Sequence, residues 1–581
     1  MKKSGTDCDK SSNIDTPSQM RRTLLMGCAY LPAAPLLAML GGCDSGGSES
    51  SDVSASTFET QAGTDIAAEI PSAEPLDIGL PPYSTTDVDA PPPAPPPVSP
   101  DTVQVTHIPQ QPPAPPQVTP PPQVLPRVIP ARMNVGVFSL QYLSFTQVAA
   151  RRQVAADTPG SVTIVDKAGK NITYEAMETY LKRALDNRLA LVYRAMVTAF
   201  AKHSPTKFDV SFVTAPELFW NVPWSEFLSE DELQNAADLC LDTVTRNVRT
   251  LISKFPADKY GKIVLLPGTV AMLKPNADIR LADGTLATAD GKAIVYEALN
   301  QVICAHNLPL DDKDYPRPAY MIWPKRTVST IDYADKYVNT GFAGVGDCKI
   351  GEALAVNPAN PNVKNKIMNC TATGRSLRVA FVGSSIAQSF DAQGRLLSRT
   401  FQNDIVEGLP FGVNICLDYN EASVLKNSFR MAELDERIYK LDFLIAARMA
   451  LDLKNYANTP YIQYALRNDG FSGGITQAWK LIWTKGSGAS LGTMSYNDLA
   501  PLDADSPVGK LKGAIAVDES DAFVAPEGMD TAGIPKILDK MNACYVRIWA
   551  LDVDTSDAVS SALHVSSAQS AVRSEEVQFI E

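Results

Sequence analysis

The chain has 581 residues, enough for two or three domains of average size. Its formal net charge of −13 and the lack of any long Lys/Arg cluster speak against a nucleic-acid or anionic-membrane surface, since phosphate binding needs concentrated positive charge. The four histidines, His107, His203, His306 and His564, show no metal-ligand spacing with another His or Cys, so no metal centre is expected.

Residues 20–43, MRRTLLMGCAYLPAAPLLAMLGGC, place two arginines before a short apolar segment that ends in small residues and a cysteine. That is the layout of an export signal, with a charged start, an apolar middle and a small-residue cleavage site. Leu40-Gly41-Gly42-Cys43 resembles a bacterial lipobox, which implies lipidation of Cys43, and Arg21-Arg22 is similar to a twin-arginine signal. A plain transmembrane anchor is the alternative, weakened by Pro32 and Pro35. No other segment approaches the roughly 20 apolar residues needed to span a bilayer. Asp44 after the cysteine resembles an inner-membrane retention signal. The expected protein is therefore extracytoplasmic and held at the cell envelope by an N-terminal lipid.

Residues 44–131 read as a stalk: a Ser/Gly-rich start, an acidic stretch, and a tract such as APPPAPPPVSP in which repeated proline removes backbone donors and favours extended polyproline II segments. Composition turns globular near Arg132, and a single domain over residues 132–565 is expected, followed by a tail over 566–581. Residues 133–140 (MNVGVFSL) alternate like a strand, and residues 171–200 carry Tyr174, Met177, Leu181, Leu185, Val192, Met196 and Ala199 at the spacing of one helical face. FDVSFV (208–213) reads as a buried strand. Ser229-Glu230-Asp231-Glu232 is a capping-box signature opening a helix with Leu233, Ala237, Cys240, Val244, Val248 and Leu251 inward. Further apolar runs, KIVLL, LRVAFVG, FGVNICL, DFLIAA, GAIAV and YVRIWAL, complete the pattern of an α/β fold with helix-covered sheets.

Strand ends are where such a fold presents chemistry. The second strand ends in Thr214-Ala215-Pro216-Glu217-Leu218-Phe219-Trp220. Residues 320–327 read YMIWPKRT, and a later strand delivers Asn414-Ile415-Cys416-Leu417-Asp418. A carboxylate, a lysine and a cysteine in that order, in the settings Pro-Glu-Leu, an aromatic-flanked lysine and Ile-Cys-x-Asp, resemble the nitrilase or carbon–nitrogen hydrolase superfamily over roughly residues 132–550. Taken singly, each residue has an ordinary reading: Cys416 as a small core hydrophobe, Glu217 as a turn cap or ion-pair member, Lys325 as a surface lysine beside Arg326.

The resemblance implies an α-β-β-α sandwich, often paired as dimers, that needs no organic cofactor or metal. Carried over to this chain, it implies Glu217 as general base, Cys416 as nucleophile, and Lys325 with the backbone N–H of Leu417 as holders of the oxyanion. The substrate expected from it is a small amide or nitrile. A thiol with an ordinary pKa near 8.5 needs a base and a nearby cation to attack at neutral pH, which gives those residue types their sense. A Cys-His pair using His203 or His306 is a further alternative.

The sequence departs from the family pattern in three places. The second family glutamate has no match in STIDYADKYV, which offers only Asp332 and Asp335; Asp332 is the expected substitute, with Glu352 in reserve. The residues after Cys416 lack the usual arginine and proline. A long Asn-, Pro- and Lys-rich insertion separates Lys325 from Cys416, and its Cys348 and Cys370 are expected to form a disulfide in an oxidising compartment. Cys240, Cys304 and Cys544 are expected in the core. Two other functions stay open: acyl transfer to an amine by the same thioester chemistry, and a catalytically silent binding lipoprotein on this scaffold.

Overall fold

In the computed structural model the described residues are 129–556, less 145–149, 167, 329–335, 339–340, 344–345, 355–365, 373–374, 382–385, 421–432, 437, 458, 472–474, 486, 493–513 and 521. Cys43, the stalk and the expected substitutes Asp332 and Asp335 lie outside them. The chain leads with β1 (Arg132–Gln141), a hairpin of β2 (Val162–Val165) and β3 (Asn171–Tyr174), and the helix α1 (Met177–Lys202). There follow β4 (Val210–Ala215), the helix α2 (Glu230–Ser253), β5 (Ile263–Pro267), β6 (Thr269–Pro275), β7 (Val295–His306) and β8 (Tyr320–Pro324). The insertion contributes β9 (Lys336–Val338), β10 (Gly341–Ala343), β11 (Gly346–Ala353), β12 (Lys366–Ala372) and β13 (Arg375–Phe381), before the short β14 (Gln388–Phe390) and β15 (Leu396–Ser398). A second sheet uses β16 (Phe411–Ile415), β17 (Leu441–Ala446), β18 (Tyr464–Asp469), β19 (Ile475–Thr484) and β20 (Gly488–Gly492). The chain then returns to the first sheet with β21 (Ile515–Ala516) and β22 (Tyr545–Asp554).

Both sheets are mixed. The first runs β11-β12-β13-β7-β5-β4-β1-β22-β21, with β1, β4 and β5 mutually parallel and β22 antiparallel to β1; β6 and β8 pair with β7. The second runs β16-β17-β18-β19-β20, parallel over its first three strands and antiparallel beyond. Strand period sorts the side chains into layers. Val135, Val137, Val210, Phe212, Val264 and Leu266 face the second sheet and pack with its Phe411, Val413, Phe443, Ile445 and Leu466. Their neighbours Phe138, Leu140, Val213, Ala215 and Leu265 face α1 and α2. Phe212 locks the two sheets together, with ring centroids 5.1 Å from Phe411 and 4.9 Å from Phe443. Each such fully buried phenylalanine contributes about 2–3 kcal/mol of burial.

The α/β class stands, as helices packed on mixed sheets. Beyond the second sheet, the described residues offer helical backbone at 418–420, the single 3-10 turn Leu453–Tyr456 and the loop around Ile462. Two local expectations are corrected. Residues 171–174, assigned to the helix by periodicity, are strand β3, because the chain pairs with β2 before Met177 opens α1. The stretch from Cys348 to Cys370, read as an irregular loop, has strand at both ends, in β11 and β12, and joins the first sheet through β13, whose LRVAF was read as an apolar run and which lies parallel to β7. The α2 cap is as expected: Ser229 Oγ accepts from the N–H of Glu232 at 3.1 Å, while the Glu232 carboxylate reaches back to the N–H of Leu228 at 2.6 Å.

Cys370 is disulfide-bonded and buried. In the β11–β12 ladder Gly346 lies opposite Thr371 and Lys349 opposite Asn369 with a register shift between them, so position 370 faces the stretch 347–348. Peptide mapping without reductant is expected to recover a Cys348–Cys370 link, and Cys370→Ser to cost about 3 kcal/mol through loss of the loop constraint. Recovery of free Cys348 from protein isolated in its native compartment would refute the pairing. Cys240, Cys304 and Cys544 are free and buried, as expected.

Candidate active site

Parallel strands that end side by side present their following residues in one place, the usual location of sites in open α/β sheets. Here β4, β8, β16, β17 and β18 supply Glu217, Lys325, Cys416, Arg448 and Asp469 just past, or at, their last residues. Lys325 Nζ donates to Glu217 Oε1 at 2.8 Å, with both side chains at 1% exposure or less. Lys325 is therefore a buried, paired cation, and the surface reading of it is wrong. Asn300 of β7 joins the pair twice: its side-chain amide donates to Glu217 Oε1 at 2.9 Å and its carbonyl accepts the N–H of Lys325 at 2.7 Å.

The Glu217 loop is tightly specified. Leu218 has φ of 63°, a left-handed value uncommon for a residue with a side chain. Its N–H donates to Thr269 Oγ1 at 2.9 Å, and the Trp220 indole donates to the carbonyl of Pro267 at 2.8 Å. Gly268 has φ of 82°, and a Cβ there would lie 2.4 Å from the carbonyl oxygen of Pro216, so only glycine lets the β5–β6 turn close on this loop. From the helix side the buried Arg188 donates to the carbonyls of Phe219 and Asn221, both at 2.5 Å. Phe219 and Trp220, which follow the carboxylate, are fully buried in the helix-side core.

Cys416 follows β16 with φ of 47°, and Arg448 follows β17 with φ of 73°. Non-glycine residues held at such values cluster where geometry is functionally constrained. The Cys416 N–H donates to the carbonyl of Ile445 at 2.9 Å and its Sγ lies 3.5 Å from the carbonyl oxygen of Ala447. Two residues on, the buried Asp418 carboxylate accepts the N–H of Arg326 at 3.0 and 3.1 Å and the N–H of Thr327 at 2.7 Å. The nucleophile candidate and the lysine are thereby fastened to each other. Asp469, fully buried, accepts the N–H groups of Arg448 and Met449 at 3.1 Å each and of Phe471 at 2.8 Å, and the Arg448 guanidinium lies 4.7 Å over the Phe471 ring.

The three residues singled out from sequence thus sit at adjoining strand ends. Asn300, Thr269, Arg188 and the anchoring role of Asp418 were missed; the available signal for Asn300 was a polar residue interrupting the apolar pattern of VYEALNQVICAH. Glu352 is committed elsewhere, to ion pairs with Lys292 at 2.7 Å and with Arg378. His306 is no partner for the cysteine: it is buried, with Nε2 2.6 Å from the carbonyl oxygen of Pro318 and Nδ1 accepting from Leu308. His203 caps the C-terminus of α1. Among the described residues no group of three or more His, Cys, Asp or Glu could hold a metal ion, and no helix is long and apolar enough to cross a membrane.

Burial lowers the His306 pKa to about 4. The unfolded chain then binds a proton that the folded chain refuses, so stability is full above pH 6.5 and falls as pH drops from 6.5 toward 4, by about 3 kcal/mol for this group. Denaturant titrations of wild type and His306→Gln should show that slope only in wild type. An NMR signal from a protonated His306 in the native protein at pH 5.5 would rule it out.

Compared with protein-family models and with curated proteins, the chain matches none of them.

Proposed function

We propose that the chain is a membrane-tethered, extracytoplasmic carbon–nitrogen hydrolase of nitrilase type that cleaves a small amide or nitrile through a cysteine thioester. The observation that carries the reading is the fully buried Glu217–Lys325 pair at 2.8 Å, fastened through Asp418 to the strand end that bears Cys416. A carboxylate and an ammonium ion are costly to desolvate, and a pair of them tied through Asp418 to the strand end of a left-handed cysteine has a chemical use that a merely structural pair lacks.

In the proposed reaction Glu217 takes the thiol proton as Cys416 Sγ attacks the amide carbon. The developing oxyanion is held by the Lys325 ammonium and the N–H of Leu417, the first donor after the left-handed turn. Collapse of the tetrahedral adduct breaks the C–N bond, and the amine leaves with the proton carried by Glu217. Water, deprotonated by the same carboxylate, then adds to the thioester, and the acid departs as the proton returns to sulfur. The finer expectations belong with this proposal: an α-β-β-α arrangement, dimeric association, lipidation at Cys43, and Asp332 in place of the second glutamate.

Ammonia release from a panel of small amides and nitriles tests the reading. Release by purified protein supports it. A panel that yields none, together with a Cys416 thiol that alkylates no faster than an ordinary one, points instead to a binding lipoprotein.

A further inference from the structure

We propose that Asp418 is a positioning residue, which sets the Lys325 ammonium relative to the Cys416 sulfur; this rests on the reading of Cys416 as the nucleophile. No short covalent path fixes that distance. Between Lys325 and Cys416 the chain leaves to build β11, β12 and β13 at the far edge of the first sheet, and the two residues end strands of different sheets. A direct tie is the Asp418 carboxylate, 1% exposed, on the N–H groups of Arg326 and Thr327, across 92 and 91 positions of sequence. One end of the tie is two residues from the sulfur and the other is one residue from the ammonium.

The same loop is held from a second side. Arg326 forms an ion pair with Glu433, whose carboxylate also accepts the N–H of Ala387 at 2.9 Å. Removing water from a carboxylate is costly, and backbone N–H donors return that cost only when they converge on it, as they do here. Oδ1 alone accepts both N–H groups, from Arg326 at 3.1 Å and from Thr327 at 2.7 Å, so what Asp418→Asn changes is the second position: its NH₂ group would meet the Arg326 N–H that Oδ2 now accepts at 3.0 Å, and the loop would have to shift away from that contact. The Lys325 Nζ would move with it, and the thiolate would lose part of its cation.

The test is the pH dependence of Cys416 alkylation by iodoacetamide, located by peptide mass spectrometry, in wild type, Asp418→Asn, Asp418→Glu and Asp442→Asn. Asp442 is the structural control: it is a buried carboxylate of the same sheet, bonded to the side chains of Asn414 and Tyr456 at 2.7 and 2.9 Å. Cys240, its pKa pushed up by burial to about 12, stays silent as an internal reference. Expected are a wild-type midpoint below the ordinary thiol value, a rise of at least about one pH unit in Asp418→Asn, and no rise in Asp442→Asn even if both variants unfold at similarly lower denaturant. Partial return of the midpoint in Asp418→Glu adds support. Equal midpoints in wild type and Asp418→Asn, or equal rises in Asp418→Asn and Asp442→Asn, overturn the positioning role while leaving the nucleophile in place. A wild-type midpoint at the ordinary value overturns the nucleophile reading, and this inference with it.

Discussion

Cys416→Ala is expected to abolish ammonia release, by at least about 10³-fold, from any amide or nitrile the protein turns over, while changing the unfolding free energy by only about 1 kcal/mol. The asymmetry follows from what the thiol does. It is a small side chain, 4% exposed, at the end of a strand whose packing rests on Phe411, Val413 and Ile415, so its removal leaves the inter-sheet core intact. The other free thiols among the described residues, Cys240, Cys304 and Cys544, are no substitutes, since they are buried and their pKa values are raised by desolvation. Steady-state rates and denaturant curves measured on the same preparation decide it. An alanine variant that keeps its rate would remove Cys416 from the mechanism.

The second large effect concerns the buried pair. Glu217→Gln takes the carboxylate from Lys325, and Lys325→Met takes the cation from Glu217, leaving one charge in a site sealed from water. Each single change is expected to destabilise the protein by about 3–5 kcal/mol, and the double change to cost clearly less than the sum, because no charge is then stranded. Urea denaturation of the four proteins gives the coupling energy. Strict additivity would mean that the two groups do not share one electrostatic site. All three variants should be inactive, so a stable and inactive double variant would separate the chemistry of the pair from its effect on folding.

Much of the first sheet was legible because its strands are apolar runs of the right length. VSFVTA and IVLLP are buried along their whole length, as strands covered on both faces must be. Ser229 declared the start of α2 by local chemistry alone. What sequence could not show is which strand belongs to which sheet, since a buried run facing α1 and a buried run facing another sheet look alike. β7 went unread because Glu297, Asn300 and Gln301 interrupt its apolar pattern, and Asn300 is there for Glu217. In the insertion LRVAF read as an apolar run and lies in β13, whereas β11 and β12 went unread because Gly, Lys and Asn interrupt the apolar positions of GDCKIGEA and KIMNCTA.

The site was legible to the extent that its residues sit at the ends of readable strands. Glu217 and Cys416 follow such strands directly. Lys325 could be located but its burial could not, because a lysine beside an arginine usually points to solvent. Asp418 was visible as part of Ile-Cys-x-Asp, yet its partners are backbone N–H groups, which no side-chain pattern encodes. Arg188 was hidden for the same reason, since it holds carbonyls of the Glu217 loop and no carboxylate.

Intact-protein mass spectrometry during turnover tests the central claim most directly. Wild-type protein mixed with a substrate found by ammonia release should gain the mass of the acyl group, less one hydrogen, at Cys416, and should lose it again as the acid is released. An enzyme that releases ammonia while its mass never changes, with Cys416 free for alkylation throughout, would contradict a thioester mechanism.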